Sequence, residues 1–404
     1  MTPESVHRAA SPVTGPRGGR VPFVLLGLGA VILLAGVALL VRDSGGGEGA
    51  AGADAPSAQA RGRLGQGGAG GSSGGGGQQA EALPPRFDGT LCWKDLERFN
   101  EGVTVGNFRQ WAAPLLASGD PVVRDYLRER LTELIGNDAA HATEVLGWAR
   151  DAGPREFNVI MSALRASEAV HQPQVAARLL EQGVSGDLDG ARRAGILSAL
   201  DTQKRLDAES LGRLADFAKE PASGEAGWAA TRTIARVMKR DFNEKGNLAP
   251  YLDKLLTIGT ESPDEDIRYL ALSMPMHATP VLDEDASARY AKVLTSEGSP
   301  DGREAAAHNL SVSGGDKART LELFSQSFAT EQEVCVRWAL FRFAARVAGR
   351  DALPVMANMA VVDARFQPLY HVFERIYASG TLDFVRVWNS LPEQDPFGCL
   401  DRHH

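Results

Sequence analysis

The chain has 404 residues, of which 43% are hydrophobic and 23% are charged, and this is the usage of ordinary globular proteins. Only 3 cysteines are present, which excludes a small domain held together mainly by disulfides. The 43 Lys and Arg residues against 51 Asp and Glu residues give a net charge of −8. Because binding to nucleic-acid phosphates requires a basic surface, we expect no nucleic-acid partner.

A long apolar segment lies near the start of the chain. Residues 21–41 contain no charged or polar side chain, and a helix of this length matches the hydrocarbon thickness of a bilayer. Arg8, Arg17 and Arg20 precede the segment, and such a positive flank stays in the cytoplasm. We therefore predict a cytoplasmic tail over residues 1–20, a transmembrane signal anchor over 21–41 in the inner membrane, and a periplasmic or otherwise extracytoplasmic remainder.

A cleaved signal peptide is the alternative interpretation of this segment. The apolar part of a signal peptide normally spans about 7–15 residues and is followed by small residues at the cleavage site. The apolar segment 21–41 exceeds that range, which favours an uncleaved anchor, whereas the Ala-rich stretch after Gly49 keeps the alternative open. The chain is rich in Ala, Gly and Arg, which are encoded by codons rich in G and C, and this composition indicates a bacterial coding sequence.

The next segment, residues 42–85, is rich in Gly and has no apolar periodicity. This composition is typical of a flexible tether, so we predict a disordered linker between the anchor and the remaining chain. Gly71 to Gly75 formally match the Gly-x-Ser-x-Gly pattern of serine hydrolases. That pattern requires a strained strand-to-helix turn, so we predict no catalytic site there.

From residue 86 onward, the pattern changes to amphipathic helices separated by short Gly, Pro and Asp turns. Helices of two kinds alternate, each with apolar residues at positions i, i+3, i+4 and i+7, as expected for one buried stripe per helix. Equivalent positions of the second helices recur every 32 to 38 residues. These positions are Arg124, Val159, Arg193, Ala230, Arg268, Arg303, Arg337 and Leu369. Helical hairpins of similar size that cannot bury their stripes alone indicate a stacked array.

Several second helices resemble HEAT repeats, including those of the phycobilisome-lyase subgroup. The matching segments are Asp266-Ile267-Arg268-Tyr269-Leu270-Ala271, Val336-Arg337-Trp338-Ala339-Leu340, and Arg193-Ala194 with Ala199-Leu200. The resemblance implies an all-α fold, an α-α superhelix or HEAT-like solenoid of about eight helical hairpins over residues 86–404, with a helical cap at both ends. Tetratricopeptide repeats have a similar period, but their characteristic Trp, Gly, Tyr and Pro positions do not recur here.

The resemblance also implies a ladder of ion pairs along the turns, in which Asp and Arg residues of neighbouring repeats alternate. In this chain, the matching positions are Asp266, Arg193, Arg268 and Arg337. Val159 stands where the family pattern has Arg, as do Ala230 and Leu369, and we expect interruptions of the ladder there.

The cysteines are Cys92, Cys335 and Cys399. An oxidising compartment permits a bridge between Cys92 and Cys399, but the two ends of a stacked array lie too far apart unless the array curves strongly or the tail folds back. We expect Cys335 to be a buried small apolar residue.

Two groups of residues have side chains suited to metals. Met274, Met276 and His277 would suit copper(I), and Cys399 with His403 and His404 forms a second set at the chain end. Methionine fills gaps between helices more often than it binds metal, so we predict no metal or cofactor site. Four tryptophans at stripe positions are predicted to lie in the core, namely Trp111, Trp148, Trp228 and Trp338.

A stacked helical array offers a long, shallow surface rather than a deep reactive pocket. We therefore expect a membrane-anchored scaffold that is not an enzyme and that binds a protein or peptide along its concave face. The alternatives are an enzyme or enzyme accessory, such as a lyase-like or chaperone subunit, and a metal sensor that uses Met274, Met276 and His277.

Overall fold

The structure is a computed structural model that describes most of the chain from residue 93 to residue 400. The short stretches left undescribed within that range are 245, 278–281, 313–314 and 381–382. The predicted cytoplasmic tail, signal anchor and tether lie outside the described residues. Among the helices that are described, none has the length and apolar composition needed to cross a bilayer.

The described part of the chain is helical throughout and contains no strand. Its α-helices are α1 (Trp93–Gly102), α2 (Phe108–Ala117), α3 (Pro121–Ile135), α4 (Ala139–Trp148), α5 (Pro154–Ala166), α6 (Pro173–Val184), α7 (Gly190–Ala199), α8 (Ala208–Ala218), α9 (Gly224–Asn243), α10 (Ala249–Glu261), α11 (Glu265–Ser273), α12 (Glu284–Ser296), α13 (Pro300–Val312), α14 (Lys317–Thr330), α15 (Val334–Ala348), α16 (Leu353–Val362), α17 (Gln367–Ala378) and α18 (Phe384–Asn389). The prediction of an all-α fold is confirmed.

The helices from α2 to α17 pack as consecutive antiparallel hairpins, each formed by a first and a second helix. The second helices from α3 to α15 each contact the next second helix along the chain, and the first helices from α4 to α16 do the same. Two layers result, and each hairpin packs mainly on its neighbours. This arrangement is compatible with a helical solenoid.

The hairpin of α10 and α11 shows how the apolar stripes are shared between neighbours. Leu255 and Ile258 of α10 pack into the core formed with the preceding hairpins, whereas Leu252 and Leu256 of the same helix pack with the following ones. One helix therefore buries two adjacent edges of its stripe, one against each neighbouring hairpin. Burial of this kind removes apolar surface from water that an isolated hairpin would expose.

Aspartates stand at the starts of many of the described helices. Their carboxylates accept hydrogen bonds from backbone N–H groups in the first helical turn, which otherwise have no partner. The capping residues are Asp120, Asp138, Asp189, Asp207, Asp264, Asp283, Asp316 and Asp383. Each cap thus fixes the residue at which its helix begins.

Two glycines near the ends of first helices allow close approach within a hairpin. A Cβ atom on Gly183 of α6 would lie 2.5 Å from Leu197 of α7, and one on Gly259 of α10 would lie 2.7 Å from Leu272 of α11. Both leucines are fully buried. Glycine at these two positions therefore allows the close packing of first and second helices.

Alanine substitution tests this role of glycine. Gly183→Ala and Gly259→Ala should each destabilise the protein by about 1–3 kcal/mol through overpacking. Gly212 lies inside α8, where a Cβ atom would have nothing within 4 Å of it, so Gly212→Ala should stabilise by about 0.4–1 kcal/mol. The midpoint of urea denaturation measures all three variants, and a shift of all three in the same direction would show that close approach is not the reason for glycine.

The C-terminal end of the array is closed by aromatic packing and by a disulfide. Trp338 of α15 lies 6.2 Å, between ring centroids, from both Trp388 of α18 and Phe397 of the tail. Cys335 of α15 forms a disulfide with Cys399, with their Cα atoms 5.4 Å apart. Cys335 is buried, as predicted, but it is not simply a small apolar residue, because the tail folds back onto α15 and brings Cys399 to it.

Removal of this disulfide should loosen the end of the array. Cys399→Ala frees a loop with a sequence separation of 64 residues and should lower stability by about 2–4 kcal/mol. Cys92→Ala is the matched control and should leave the urea midpoint unchanged. A reductant should lower the midpoint of the wild-type protein but not that of Cys399→Ala; a wild-type midpoint insensitive to reductant would refute the stabilising role of the disulfide.

Candidate functional site

Arginines link neighbouring hairpins in the C-terminal half of the described chain. Each is the fourth residue of its second helix and pairs with an acid just after the next first helix. The pairs are Arg268 with Glu297 at 3.3 Å, Arg303 with Glu331 at 2.8 Å, and Arg337 with Asp363 at 2.9 Å. Arg303 also donates to the carbonyl oxygens of Glu297 and Gly298 in its own hairpin. Arg268 likewise donates to the carbonyl oxygens of Ser262 and Pro263, so these two arginines join their own turn to the next hairpin.

Two residues that the HEAT resemblance assigned to this ladder behave differently. Asp266 is exposed and forms no ion pair within the described part of the chain. Arg193 donates to the carbonyl oxygen of Gly183, and its guanidinium lies 4.6 Å from the ring centroid of Phe217. An acid at the second position of a second helix faces solvent, whereas an acid after a first helix faces the neighbouring arginine. The ladder acids are therefore not those that the family pattern indicated.

Asp363 is the most strongly charge-stabilised carboxylate of the ladder. Its side chain is 7% exposed and accepts hydrogen bonds from Arg365 and Arg337 at 2.6 and 2.9 Å. The hydrogen bonds from Arg365 contribute most, and those from Arg337 add to them against the effect of burial, so the pKa of Asp363 lies well below its usual range. The folded state therefore holds this carboxylate in its charged form.

The candidate metal ligands do not form a site in the described residues. Cys399 is part of the disulfide, which removes the thiolate from the set with His403 and His404, whose positions lie outside the described residues. Met274 packs partly buried against the core, while the side chains of Met276 and His277 are not among those described. No group of three or more His, Cys, Asp or Glu side chains among the described residues is placed to hold a metal ion.

An arginine cluster lies on the layer of second helices, around a single buried carboxylate. Asp201, which follows α7, is 1% exposed and pairs with Arg236 of α9 at 2.6 Å and with Arg165 of α5 at 2.9 Å. Arg232 of α9 lies 4.0 Å from the same carboxylate. Three guanidinium groups thus share one carboxylate, and the cluster carries excess positive charge on an acidic chain.

Trp228 extends the arginine cluster along α9. Its side chain is 37% exposed, and the guanidinium of Arg232 lies 5.2 Å from its ring centroid. The prediction that Trp228 lies in the core was wrong, because it stands on the solvent edge of α9. Trp228, Arg232 and Arg236 are four residues apart and so share a helix face, a spacing that the sequence already contained.

Burial and like charge act together on Arg232. Burial lowers its pKa most, and the neighbouring guanidinium of Arg236 lowers it further, while Asp201 acts in the opposite direction. Arg232 also lies farther from the carboxylate of Asp201 than Arg165 and Arg236 do, so its charge is the least closely matched of the three. An anion that approached Arg232 would supply that charge.

A second candidate site is the C-terminal pocket, a cavity of about 390 Å³ between α11, α13, α15, α18 and the tail. Its charged and aromatic lining includes Glu304, His308, Arg342, Phe343, Arg346 and Trp388. Like the arginine cluster, it opens on the layer of second helices. The sequence did not predict this pocket, because the tail that forms one of its walls is distant from α15 in sequence and packs against it only in the folded chain.

The two arginines of this pocket differ in burial and in partners. Arg342 is 7% exposed and pairs with Glu304 at 2.5 Å through Nη2, while its buried Nη1 has no hydrogen-bond partner in the described structure. Arg346, one turn later on α15, contacts His308 at 3.0 Å. Burial lowers the pKa of both arginines.

Another cavity, of about 750 Å³, lies at the other end of the array beside α2 and α5. Its lining includes Arg109, which pairs with Glu156 at 2.6 Å and with Asp151 at 3.1 Å. These hydrogen bonds, those with Glu156 above all, raise the pKa of Arg109. The charge of Arg109 is thus already matched by two carboxylates.

Comparisons of the chain with models of protein families, with curated proteins and with solved structures found no match. The resemblance to HEAT repeats therefore depends on the residues named above.

The ladder predicts a specific response to acid. The folded-state pKa of Asp363 is lower than its unfolded value of about 3.9, so its contribution is present above that value and is lost as the pH falls through the folded value. Asp363→Asn should cost about 1.5–3 kcal/mol at pH 7.

Urea midpoints at several pH values between 7 and 2.5 test this response. The wild-type protein should lose more stability below pH 4 than Asp363→Asn does. Asp187→Asn, which removes the same charge from an exposed turn, should lose as much as the wild type. Parallel acid curves for the wild type and Asp363→Asn would contradict the assigned role of this carboxylate.

Proposed function

We propose that the protein is a single-pass, membrane-anchored, extracytoplasmic scaffold whose HEAT-like solenoid binds another protein or peptide along the layer of second helices. The two-layer packing of hairpins supports the solenoid, and the apolar segment 21–41 supports the anchor. Stacked second helices form a continuous, rigid surface that suits an extended partner.

The arginine cluster is the observation that carries the proposal. Arginine and tryptophan are the residues most often found to dominate binding energy at protein interfaces. Arg232 and Trp228 are adjacent on α9 and stack on each other, so both are held in place before a partner binds. Preorganised side chains lose less conformational entropy on binding.

The charge of the cluster indicates the chemistry of the partner. Among the described residues, Arg165, Arg232 and Arg236 share only the carboxylate of Asp201, whereas the chain as a whole carries a net charge of −8. A partner segment with acidic side chains would pair with the cluster, and the acidic remainder of the surface would disfavour other orientations. We therefore propose an acidic segment of a protein as the occupant.

Site-specific photo-cross-linking in intact cells tests the proposal. A photoreactive amino acid replaces Trp228, or in the control Val361, which is 76% exposed on the first helix α16. We expect position 228 to capture a distinct protein that position 361 does not capture. Capture of only the protein itself, of nucleic acid, or of the same proteins at both positions would contradict the proposal.

Arg232→Gln, combined with the probe at position 228, tests the charge dependence. It leaves the two shorter ion pairs of Asp201 in place, so the fold should persist. Loss of an interfacial charge should reduce capture about three- to tenfold. Arg213→Gln, at an exposed position of the first helix α8, should leave capture unchanged. An equal effect of both substitutions would show that general charge, not the cluster, governs capture.

A further inference from the structure

We infer that the C-terminal pocket binds a carboxylate with an adjoining aromatic or aliphatic group, as a second anchor for the peptide partner. The inference rests on the proposed function, because it assigns the pocket to the same layer of second helices. The inferred carboxylate site uses different residues from the arginine cluster, so an experiment can refute either one without refuting the other.

The buried guanidinium of Arg342 supplies the main observation. Its Nη2 is used by Glu304, but its Nη1 is buried without a hydrogen-bond partner in the described structure. Leaving a buried charged donor unsatisfied costs free energy. A carboxylate oxygen that entered the pocket would accept this hydrogen bond, which is the pairing for which a guanidinium is best suited.

The balance of charges around the pocket also favours an anion. On the second helices, Arg342 and Arg346 face Glu304 and His308, while Tyr269 of α11 is uncharged. Asp395 of the tail acts on Arg342 from a distance, but its carboxylate accepts hydrogen bonds from the backbone N–H groups of two tail residues. Arg346 therefore has only the imidazole of His308 as a close polar neighbour among its described contacts.

The walls of the pocket select the rest of the ligand. Phe343, Phe384 and Trp388 line it, and the guanidinium of Arg342 lies 4.8 Å from the ring centroid of Phe343 and 5.6 Å from that of Trp388. Apolar walls favour an aromatic or aliphatic side chain. They also raise the desolvation cost of a doubly charged phosphate more than that of a carboxylate.

The disulfide holds one wall of the pocket in place. Leu400, which lines the pocket, directly follows Cys399, and Cys399 is bonded to Cys335 on α15. The wall formed by the tail is thus fixed to the helix that carries Arg342 and Arg346. A pocket with fixed walls and charges is preorganised for its ligand.

Two sources would supply the same chemistry, namely the C-terminal carboxylate of a partner chain and an Asp or Glu side chain. Three hexapeptides with an N-terminal BODIPY label, which unlike fluorescein carries no carboxylate, distinguish them: Gly-Ser-Gly-Ala-Ala-Phe with a free C-terminus, the same peptide as its C-terminal amide, and amidated Gly-Ser-Gly-Ala-Asp-Phe. Fluorescence anisotropy measures the binding of each to the full-length protein in detergent micelles. If only the first peptide binds, the ligand is the C-terminal carboxylate of a chain. If the third peptide binds and the second does not, a side-chain carboxylate is a ligand.

Substitutions of the two arginines test which side chains bind the probe. Arg346→Gln, at an exposed position, should weaken binding of the carboxylate peptide roughly fivefold, and Arg342→Lys, which keeps the charge but loses the planar fork, roughly tenfold. Arg350→Gln is the matched control just beyond α15 and should leave affinity within about twofold. The urea midpoint of each variant verifies that it folds.

Equal binding of the free acid and its amide, no binding of any peptide, or equal effects of Arg346→Gln and Arg350→Gln would overturn the inference. Arg232→Gln separates it from the proposed function, because that substitution should reduce cross-linking at position 228 and leave peptide affinity unchanged. If cross-linking at position 228 succeeds and no peptide binds, only the assignment of the C-terminal pocket fails.

Discussion

The structure depends on one constraint, which is that a single helical hairpin cannot remove its apolar stripe from water. Each stripe is covered instead by the hairpins before and after it, as the division of α10 between two cores shows. The close approach of Gly183 to Leu197 serves this packing within a hairpin, and the aspartate caps serve it between hairpins. The hydrophobic effect thus acts between neighbours along the chain rather than around one centre.

Arginine has two roles in this molecule, and the difference lies in how completely its charge is matched. Arg303 and Arg337 are paired with acids of the next hairpin, so they stabilise the stack. Arg232 lies on the layer of second helices beside Trp228 and shares the carboxylate of Asp201 with two other arginines. The same residue type therefore links hairpins in one setting and, in the proposed function, binds a partner in the other.

The helices and their pairing could be predicted from the sequence, because apolar periodicity and turn residues are local signals. The disulfide could not, because the return of the tail to Cys335 depends on tertiary packing. The exposure of Trp228 was missed because the sequence does not show whether a residue lies at the edge or at the centre of the apolar stripe of its helix. Only the packing of the neighbouring helices decides this. The acids of the ladder were missed because the HEAT pattern indicated Asp266, whereas the fold brings residues after the first helices to the arginines.

Hydrogen–deuterium exchange on the Leu197→Ala variant tests most directly whether each hairpin is stabilised mainly by the hairpins next to it. Leu197 is fully buried in α7, and its truncation should destabilise its surroundings by about 2–5 kcal/mol. If each hairpin depends on its neighbours, α5 to α9 should lose protection and α13 to α17 should exchange as in the wild type. A uniform loss of protection across all described helices would contradict the account.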